Sequence, residues 1–322
     1  MLLGPEFRPG EGPIERAPRP LDHSAMLWFL SSMVSLAQGG WFGYENPEPL
    51  IPAEPVQTLA DGVARTTVNA FTLADIVEAG SIRDVGEMLG AVGWYGTHAG
   101  TDELAGMAAE YANTLADTVA ESTDGNGRVG DGAANHAATQ ALVAQGLLWA
   151  SEVDGVDWSD LASEAVGHMT DELWDGDAGT FASGTDDDVY AITARDAGDI
   201  TGGLNAAEAV LGRSDLGDVF VRFLDGTSNT GRLQRAQRPP SVNNRETEPP
   251  LPPEAGGEFG QAAVYNAEVE YDTTRGEWSV TDDTLRTGPA LYLANQDIWV
   301  SNWGGAFYRG RGVPGTSDEP KH

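Results

Sequence analysis

The chain has 322 residues, of which 40% are apolar, so it can bury a sizeable core. Fifty acidic residues against 18 basic ones give a formal net charge of −32, and only one of the bases is a lysine. This balance excludes the basic footprint of a nucleic-acid-binding protein, and the absence of cysteine excludes disulfides, thiolate metal sites and a cysteine nucleophile.

The acidity predicts a habitat rather than a reaction. Aromatic residues spread through apolar-periodic segments are typical of a folded chain, not a disordered one. Self-repulsion at this charge destabilises a compact state in dilute buffer, whereas molar salt shortens the Debye length to about 3 Å. A carboxylate-rich composition with almost no lysine resembles proteins of salt-loving archaea, and we expect inorganic cations at the acidic surface.

The start of the chain is rich in Pro, Arg and Glu and has no apolar leader. The uncharged stretch from Ser24 to Tyr44 has the length of a membrane span, but its serines, glutamine and glycines favour a buried first helix. We therefore expect no membrane span. The compartment stays open between the cytoplasm and export with the signal sequence absent from this chain.

The first half of the chain predicts a series of helices. An extended arm over 1–20 precedes a helix over about 22–40. After the proline-rich connection at 45–55, apolar residues recur at helical spacing and predict one helix over 56–80. Further helices are predicted over 82–95, from Thr101 onward, over 133–151 after a Gly/Asp loop at 124–132, and over 158–173.

The second half mixes helices with β-structure. Residues 174–192 and 264–281 each predict a hairpin or an ordered loop. Residues 228–258, rich in Pro and Arg, predict a long irregular crossing. Helices are predicted over 199–211, 215–224 and 289–302. The chain is thus expected to form one helical domain over 21–312 with a draped or disordered tail at 313–322.

The two predicted hairpins share a sequence pattern. The segments DELWDGDAGTFAS (171–183) and YDTTRGEWSVTDD (271–283) both read aromatic-Asp-x-x-x-Gly-x-aromatic, and each precedes a predicted helix. They resemble the hairpins of the (α/α) toroids, which include the six-hairpin glycosidases, the sugar epimerases of that fold and the helical part of the thioredoxin-linked spermatogenesis-associated family. The resemblance covers roughly residues 56–305.

This resemblance implies an all-α fold, either an (α/α) toroid or a partial toroid with two or three short β-hairpins. Fewer helices are predicted than a full six-hairpin ring contains, so the ring is expected to be incomplete or completed by a partner. The resemblance also implies a binding site in the loops at one mouth of the ring. No catalytic residue of these families matches a position in this chain, so none is carried over.

Arg195, Asp196 and Asp199 form the densest polar cluster flanked by apolar sequence. Paired carboxylates can serve as general acid and base, so this cluster is the predicted catalytic group. The structural alternative makes Asp199 a helix N-cap, with Arg195 paired to Asp196. Asn205, further along the same helix, is a candidate for substrate binding.

Two aromatic clusters are further candidates for substrate binding. Aromatic rings beside a histidine or an amide suit the recognition of a sugar or another ring. One cluster closes a glycine-rich helix and comprises Trp94, Tyr95 and His98. The other lies on one side of the last helix and comprises Asn295, Trp299 and Trp303. The alternative for both clusters is that the rings belong to the core.

The remaining charged motifs support weaker hypotheses. Four arginines of the crossing are expected to pair with surface carboxylates, grip a partner subunit or bind an anion: Arg232, Arg235, Arg238 and Arg245. The loop DGNGRVGD (124–131) resembles a calcium loop but places an arginine where an oxygen ligand is needed. No two histidines have metal-ligand spacing, so no metal site is predicted. Non-covalent haem, for example at His23 near Met26, stays open as a cofactor.

Three classes of function remain open. The first is a carbohydrate-active enzyme that works at the mouth of a helical toroid, which rests mainly on fold analogy. The second is a non-catalytic subunit of a larger complex, suggested by the proline-rich arm and the arginine-rich crossing. The third is an exported redox or haem protein. The sequence itself specifies neither the reaction nor the cofactor.

Overall fold

A computed structural model describes most of the chain. The described residues are 7–8, 12–13, 18–39, 42, 49–79, 81–130, 135–184, 187–234 and 265–301, with side chains described in these ranges except at 7–8, 12–13, 78–79 and 298–301. The arginines predicted at 235, 238 and 245, as well as Trp303 and the tail, lie outside them.

Helices dominate the described ranges. The α-helices are α1 Pro20–Gln38, α2 Ala53–Ala70, α3 Leu73–Ala79, α4 Ile82–Gly96, α5 Asp102–Glu121, α6 His136–Ser151, α7 Ser159–His168, α8 Ala194–Leu211, α9 Leu216–Phe223 and α10 Thr287–Ser301. Two π-helical segments follow α7 and α9 directly, at Met169–Leu173 and Leu224–Thr230. The strands are β1 Phe7–Arg8, β2 Gly12–Pro13, β3 Trp174–Asp175, β4 Thr180–Phe181, β5 Val189–Thr193, β6 Glu268–Asp272 and β7 Glu277–Asp282.

The predicted all-α class with short hairpins is confirmed, because helices dominate the described ranges and the strands found there are short and pair antiparallel. The chain divides into two compact units. The first comprises residues 1–133 and 142–165, and the second comprises 134–141 and 166–322. Closure of the helices into a ring and the single domain over 21–312 stay predictions.

In the first unit, the glycines of α4 permit close packing against the part of α6 that belongs to the same unit. A Cβ atom at Gly86 would lie 2.9 Å from the Cα of Val143, and one at Gly93 would lie 2.5 Å from the amide nitrogen of Ala150. Such separations leave no room for a side chain, so glycine is required at both positions. The glycines therefore do not interrupt the helix; they set how closely its backbone approaches α6.

The single helix predicted over 56–80 is wrong, because the structure breaks it into α2 and α3. Phe71 is extended, with φ −118° and ψ 117°. The next residue, Thr72, donates its amide to the Asp75 carboxylate at 2.6 Å, and the Asp75 amide donates back to the Thr72 hydroxyl at 3.3 Å. This reciprocal capping starts a new helix, and helical periodicity alone does not reveal it.

In the second unit, the segment predicted as one hairpin over 174–192 divides between two structures. Strands β3 and β4 form the first hairpin, which pairs Trp174 with Phe181. Strand β5 instead joins β6 and β7, the second hairpin, in a three-stranded antiparallel sheet with the order β5-β6-β7. Ile192 and Val269 face each other across β5 and β6, and both side chains are fully buried.

Helix α8 begins at Ala194, earlier than the predicted start at 199. Its N-cap is Thr193, whose hydroxyl accepts from the amide of Asp196, while the Asp196 carboxylate accepts from the amide and the hydroxyl of Thr193. This capping box corrects the alternative in which Asp199 is the N-cap. Within the same unit, α8 packs on α10, with Gly198 against the ring of Tyr292.

Candidate functional site

An open groove of about 380 Å³ lies beside the first hairpin in the second unit. Rings and carboxylates line it, from Trp174, Tyr190, Glu172, Asp175 and Asp177. Trp174 and Tyr190 are half-buried, whereas Glu172 and Asp177 are exposed. We call this depression the hairpin groove; its lining is mostly polar and combines two aromatic side chains with several hydrogen-bond acceptors.

The turn of the first hairpin is fixed by Asp175. Its Oδ1 accepts from the amides of Asp177 and Ala178 at 3.0 and 2.9 Å, which holds the four-residue turn in shape. Gly179 has φ +66°, a left-handed conformation that disfavours any residue with a side chain. These features constrain the backbone of the turn that follows Trp174.

Tyr190 completes the groove from β5. Its hydroxyl donates to Oδ2 of Asp175 at 3.3 Å, so the Asp175 carboxylate is engaged on both oxygens. Burial is the main reason that the pKa of the Tyr190 phenol is raised above its ordinary value, and the nearby Asp175 carboxylate adds to the shift. Tyr190 consequently stays protonated at neutral pH and presents a neutral hydroxyl beside a fixed carboxylate.

Both π-helical segments contact this hairpin. The segment Met169–Leu173 leads directly into β3 and supplies Glu172 and Leu173 to the groove. In the segment Leu224–Thr230, a Cβ at Gly226 would lie 2.9 Å from the carbonyl carbon of Gly179, and Thr227 shares a 3.0 Å hydrogen bond with Thr180. Short π-helical segments are rare and frequently mark functional sites, so their meeting at one hairpin singles this region out.

The predicted catalytic residues occupy the first turns of α8 and are not among the residues that line the groove. Asp196 is 5% exposed and serves the capping box. Asp199 is completely buried, and the Nε–H of Arg195 donates to its Oδ1 at 3.1 Å. The Arg195 guanidinium also lies 4.4 Å from the ring centroid of Tyr292. Their catalytic role stays a prediction.

The structure separates the members of the cluster at the end of α4. The rings of Trp94 and His98 are in contact, with centroids 4.6 Å apart and planes tilted by 51°, and both residues are half-buried. Tyr95 is buried instead, and its hydroxyl donates to Asp61 at 2.8 Å. Burial, together with the Asp61 carboxylate, raises the pKa of the Tyr95 phenol well above its ordinary value. Tyr95 thus packs in the core of the first unit, and substrate binding by Trp94 and His98 stays a prediction.

The predicted cluster on α10 lies only partly in the described ranges. Asn295 is exposed, the side chain of Trp299 is outside the described side chains, and Trp303 is outside the described residues. Asn205 on α8 is half-buried. Substrate binding by these residues stays a prediction.

Asp297, a carboxylate on α10 close in sequence to Asn295, was not predicted as a site residue. Oδ1 of Asp297 is buried and has no hydrogen-bond partner among the described residues, and Oδ2 accepts from the Tyr265 hydroxyl at 3.3 Å. Burial raises the pKa of Asp297 to about 7, although the Tyr265 bond opposes the shift.

A histidine pair, with His168 buried and His136 half-buried, was also not predicted. The rings of His136 and His168 lie 5.8 Å apart, and His136 Nε2 contacts the Gln140 amide at 2.8 Å. The backbone of His136 is bonded to Ser183, which follows the groove residue Ala182. No sequence signal links these histidines, because they lie on different helices.

His23, the candidate haem ligand, and the loop that resembles a calcium site both belong to the first unit. His23 is completely buried, with Nδ1 3.3 Å from the Thr67 hydroxyl and its ring edge-on to Phe71, so its surroundings are those of a core residue. In the loop at 124–130, Oδ1 of Asp124 accepts from the amides of Asn126 and Arg128, as in an ordinary Asx turn. Among the described side chains, no three His, Asp or Glu residues are grouped to hold a metal ion.

No helix in the described ranges combines the length and the apolar character needed to cross a bilayer.

The comparisons with known proteins show a likeness in structure but none in sequence. No family model matches the sequence, and no curated protein matches it. The chain is similar to a sugar epimerase from a ruminal bacterium, solved by crystallography, with 15% identity and a TM-score of 0.49 over 70% of this chain and 63% of that one. The chain therefore spans less than two thirds of that protein's length, and a likeness of this size bears on neither reaction nor ligand.

Proposed function

We propose that this protein is carbohydrate-active and that it binds a sugar ring in the hairpin groove. The observation that carries the proposal is the composition of the groove: Trp174 and Tyr190 beside the carboxylates of Glu172, Asp175 and Asp177. The C–H face of a sugar ring packs on aromatic surface, while its hydroxyls donate to carboxylate oxygens. A volume of about 380 Å³ is in the range of small-ligand sites.

The division of roles follows from the geometry. Asp175 is held by the turn and by Tyr190, so it forms the fixed part of the recognition surface. Glu172 and Asp177 are exposed, so their side chains can change rotamer to accept from the hydroxyls of different sugars. Catalysis by Arg195, Asp196 and Asp199, as the sequence predicts, is a separate hypothesis, because these residues are not in the groove lining.

The test is a ligand screen of mono- and disaccharides by saturation-transfer NMR in molar KCl. We expect at least one sugar to bind, with Trp174→Ala weakening the affinity more than tenfold. The matched control is Trp278→Ala, which removes a tryptophan ring from the second hairpin and is expected to leave the affinity within twofold. Equal losses in the two variants, or no bound sugar, would overturn the proposal.

We further propose that the protein works in molar salt, since the net charge of −32 gives a repulsion that salt screens. The melting temperature should rise steadily between dilute buffer and molar KCl. A melting temperature that is independent of salt would contradict this.

A further inference from the structure

Arg222, near the end of α9, reaches the first hairpin at two points. Its Nη2–H group donates to the carbonyl of Gly176 in the turn, and its guanidinium carbon lies 5.6 Å from the ring centroid of Trp174. Cation–π contacts operate within about 6 Å of the ring centroid. One side chain therefore contacts both the turn and the ring that line the groove.

Phe223, the residue after Arg222, packs against Phe181, whose ring in turn contacts Trp174. The Phe223 ring lies 5.6 Å from that of Phe181, and the Phe181 ring lies 4.8 Å from that of Trp174. Phe181 and Phe223 are almost completely buried, so this side of the arrangement is fixed by core packing. The outer side of the arrangement depends on Arg222, which is itself exposed.

The contacts of Arg222 differ from those of the described arginines that form local ion pairs. Arg19, Arg213, Arg275 and Arg286 each pair with an aspartate two to four residues away. Such local pairs contribute little. Arg222 instead bonds a carbonyl 46 residues away and contacts an aromatic ring. A planar guanidinium suits both contacts, since it can donate in its plane and stack over a ring.

We propose that Arg222 is a positioning residue that sets the orientation of Trp174 and of the Gly176 turn, and thereby determines which sugars the groove accepts. The inference deepens the proposed function and rests on it for the identity of the ligand. The coupling between Arg222 and Trp174 does not depend on any ligand. With the Gly176 carbonyl already accepting from Arg222, the hydroxyls of the sugar are directed to the carboxylates.

The experiment is a double-mutant cycle between Arg222→Ala and Trp174→Phe, with the dissociation constant of the best sugar measured by calorimetry in molar KCl. Arg222→Ala is expected to weaken binding about fivefold to tenfold in the otherwise unchanged protein, but less than twofold in the Trp174→Phe background. Arg222→Lys keeps the charge and loses the planar donor, so it should recover only a small part of the affinity. Equal losses in both backgrounds, or full recovery with lysine, would overturn the proposal.

Near-ultraviolet circular dichroism without sugar gives a second readout. Arg222→Ala should change the tryptophan bands in the otherwise unchanged protein and have almost no effect in the Trp174→Phe background. Additive spectral changes would refute the positioning role even if no sugar is found. A non-additive spectrum with no sugar binding would instead retain the Arg222–Trp174 coupling and reject the proposed function.

Discussion

The two hairpins of the second unit share a sequence pattern and a turn but differ in their surroundings. In each, an Asp carboxylate accepts amide groups of the turn, and the glycine has nearly the same left-handed φ, +66° at Gly179 and +67° at Gly276. In each, the aromatic residues at the two ends of the pattern face each other across the strands.

The difference lies in what packs on each hairpin. In the first hairpin, Phe181 is completely buried and a π-helical segment lies against the turn. In the second, the equivalent ring, Trp278, is half-buried, and the turn carries an exposed Arg275–Asp272 ion pair. The shared pattern thus specifies a turn, whereas the groove depends on neighbours that the pattern does not encode.

The largest contrast is expected for the buried rings. Phe181→Ala should lower the free energy of unfolding by about 4 kcal/mol, because it removes a fully buried ring. Trp278→Ala should cost about 1–2 kcal/mol, because that ring is only partly removed from water. Chemical denaturation in molar KCl measures both values. Similar losses in the two variants would contradict the difference in surroundings.

The turn glycines should give a smaller contrast. Alanine at either position costs about 1 kcal/mol for the left-handed conformation. At Gly179 the added Cβ also meets the carbonyl oxygen of Arg222 at 3.3 Å, which brings the expected loss to about 2 kcal/mol. Only the end of a tyrosine side chain, 3.8 Å away, is near the corresponding atom at Gly276. Melting temperatures of the two alanine variants test this, and a greater loss at Gly276 would refute it.

A third contrast concerns pH. Near the second hairpin, burial raises the pKa of Asp297 to about 7, above its ordinary value of 3.8. A carboxyl group with a raised pKa stabilises the folded state fully below about pH 4. This stabilisation is lost as the pH rises to about 7, by at most about 1.4 kcal/mol per pH unit. Near the first hairpin, the Thr180–Thr227 bond joins two hydroxyls that do not titrate.

Unfolding measured between pH 4 and 8 tests this contrast. Asp297→Asn should flatten the fall in stability, while the control Asp218→Asn, at an exposed position on α9, should leave it unchanged. Hydrogen exchange should accelerate with pH at 265–272 beyond its intrinsic rate, and less so at 174–181. A fall in stability that persists in Asp297→Asn would contradict the assignment to this carboxyl.

The helical class and most helix bounds follow from the sequence because apolar periodicity reports burial directly. The break between α2 and α3 at Phe71 was not predicted, because the capping pair of Thr72 and Asp75 lies within a continuous apolar pattern. The early start of α8 was not predicted for a similar reason, since its N-cap, Thr193, is also the last residue of β5.

The candidate site was harder to predict. Trp174 and Asp175 were recognised only as a turn signal, and Tyr190 was not singled out. The groove depends on β5, whose partner β6 is far along the chain, and on Arg222 from α9. Local patterns carry no information about such contacts. The aromatic-Asp signal together with a nearby tyrosine was the one clue in the sequence that could have identified the groove.

The most direct measurement compares the two hairpins during ligand binding. All tryptophans are replaced by 5-fluorotryptophan, the signals of residues 174 and 278 are assigned with Trp174→Phe and Trp278→Phe, and the best sugar of the screen is titrated in molar KCl. We expect the fluorine signal of Trp174 to shift saturably with the affinity found by calorimetry, while that of Trp278 stays in place. Saturable binding that leaves Trp174 unmoved would show that the hairpin groove is not the sugar site.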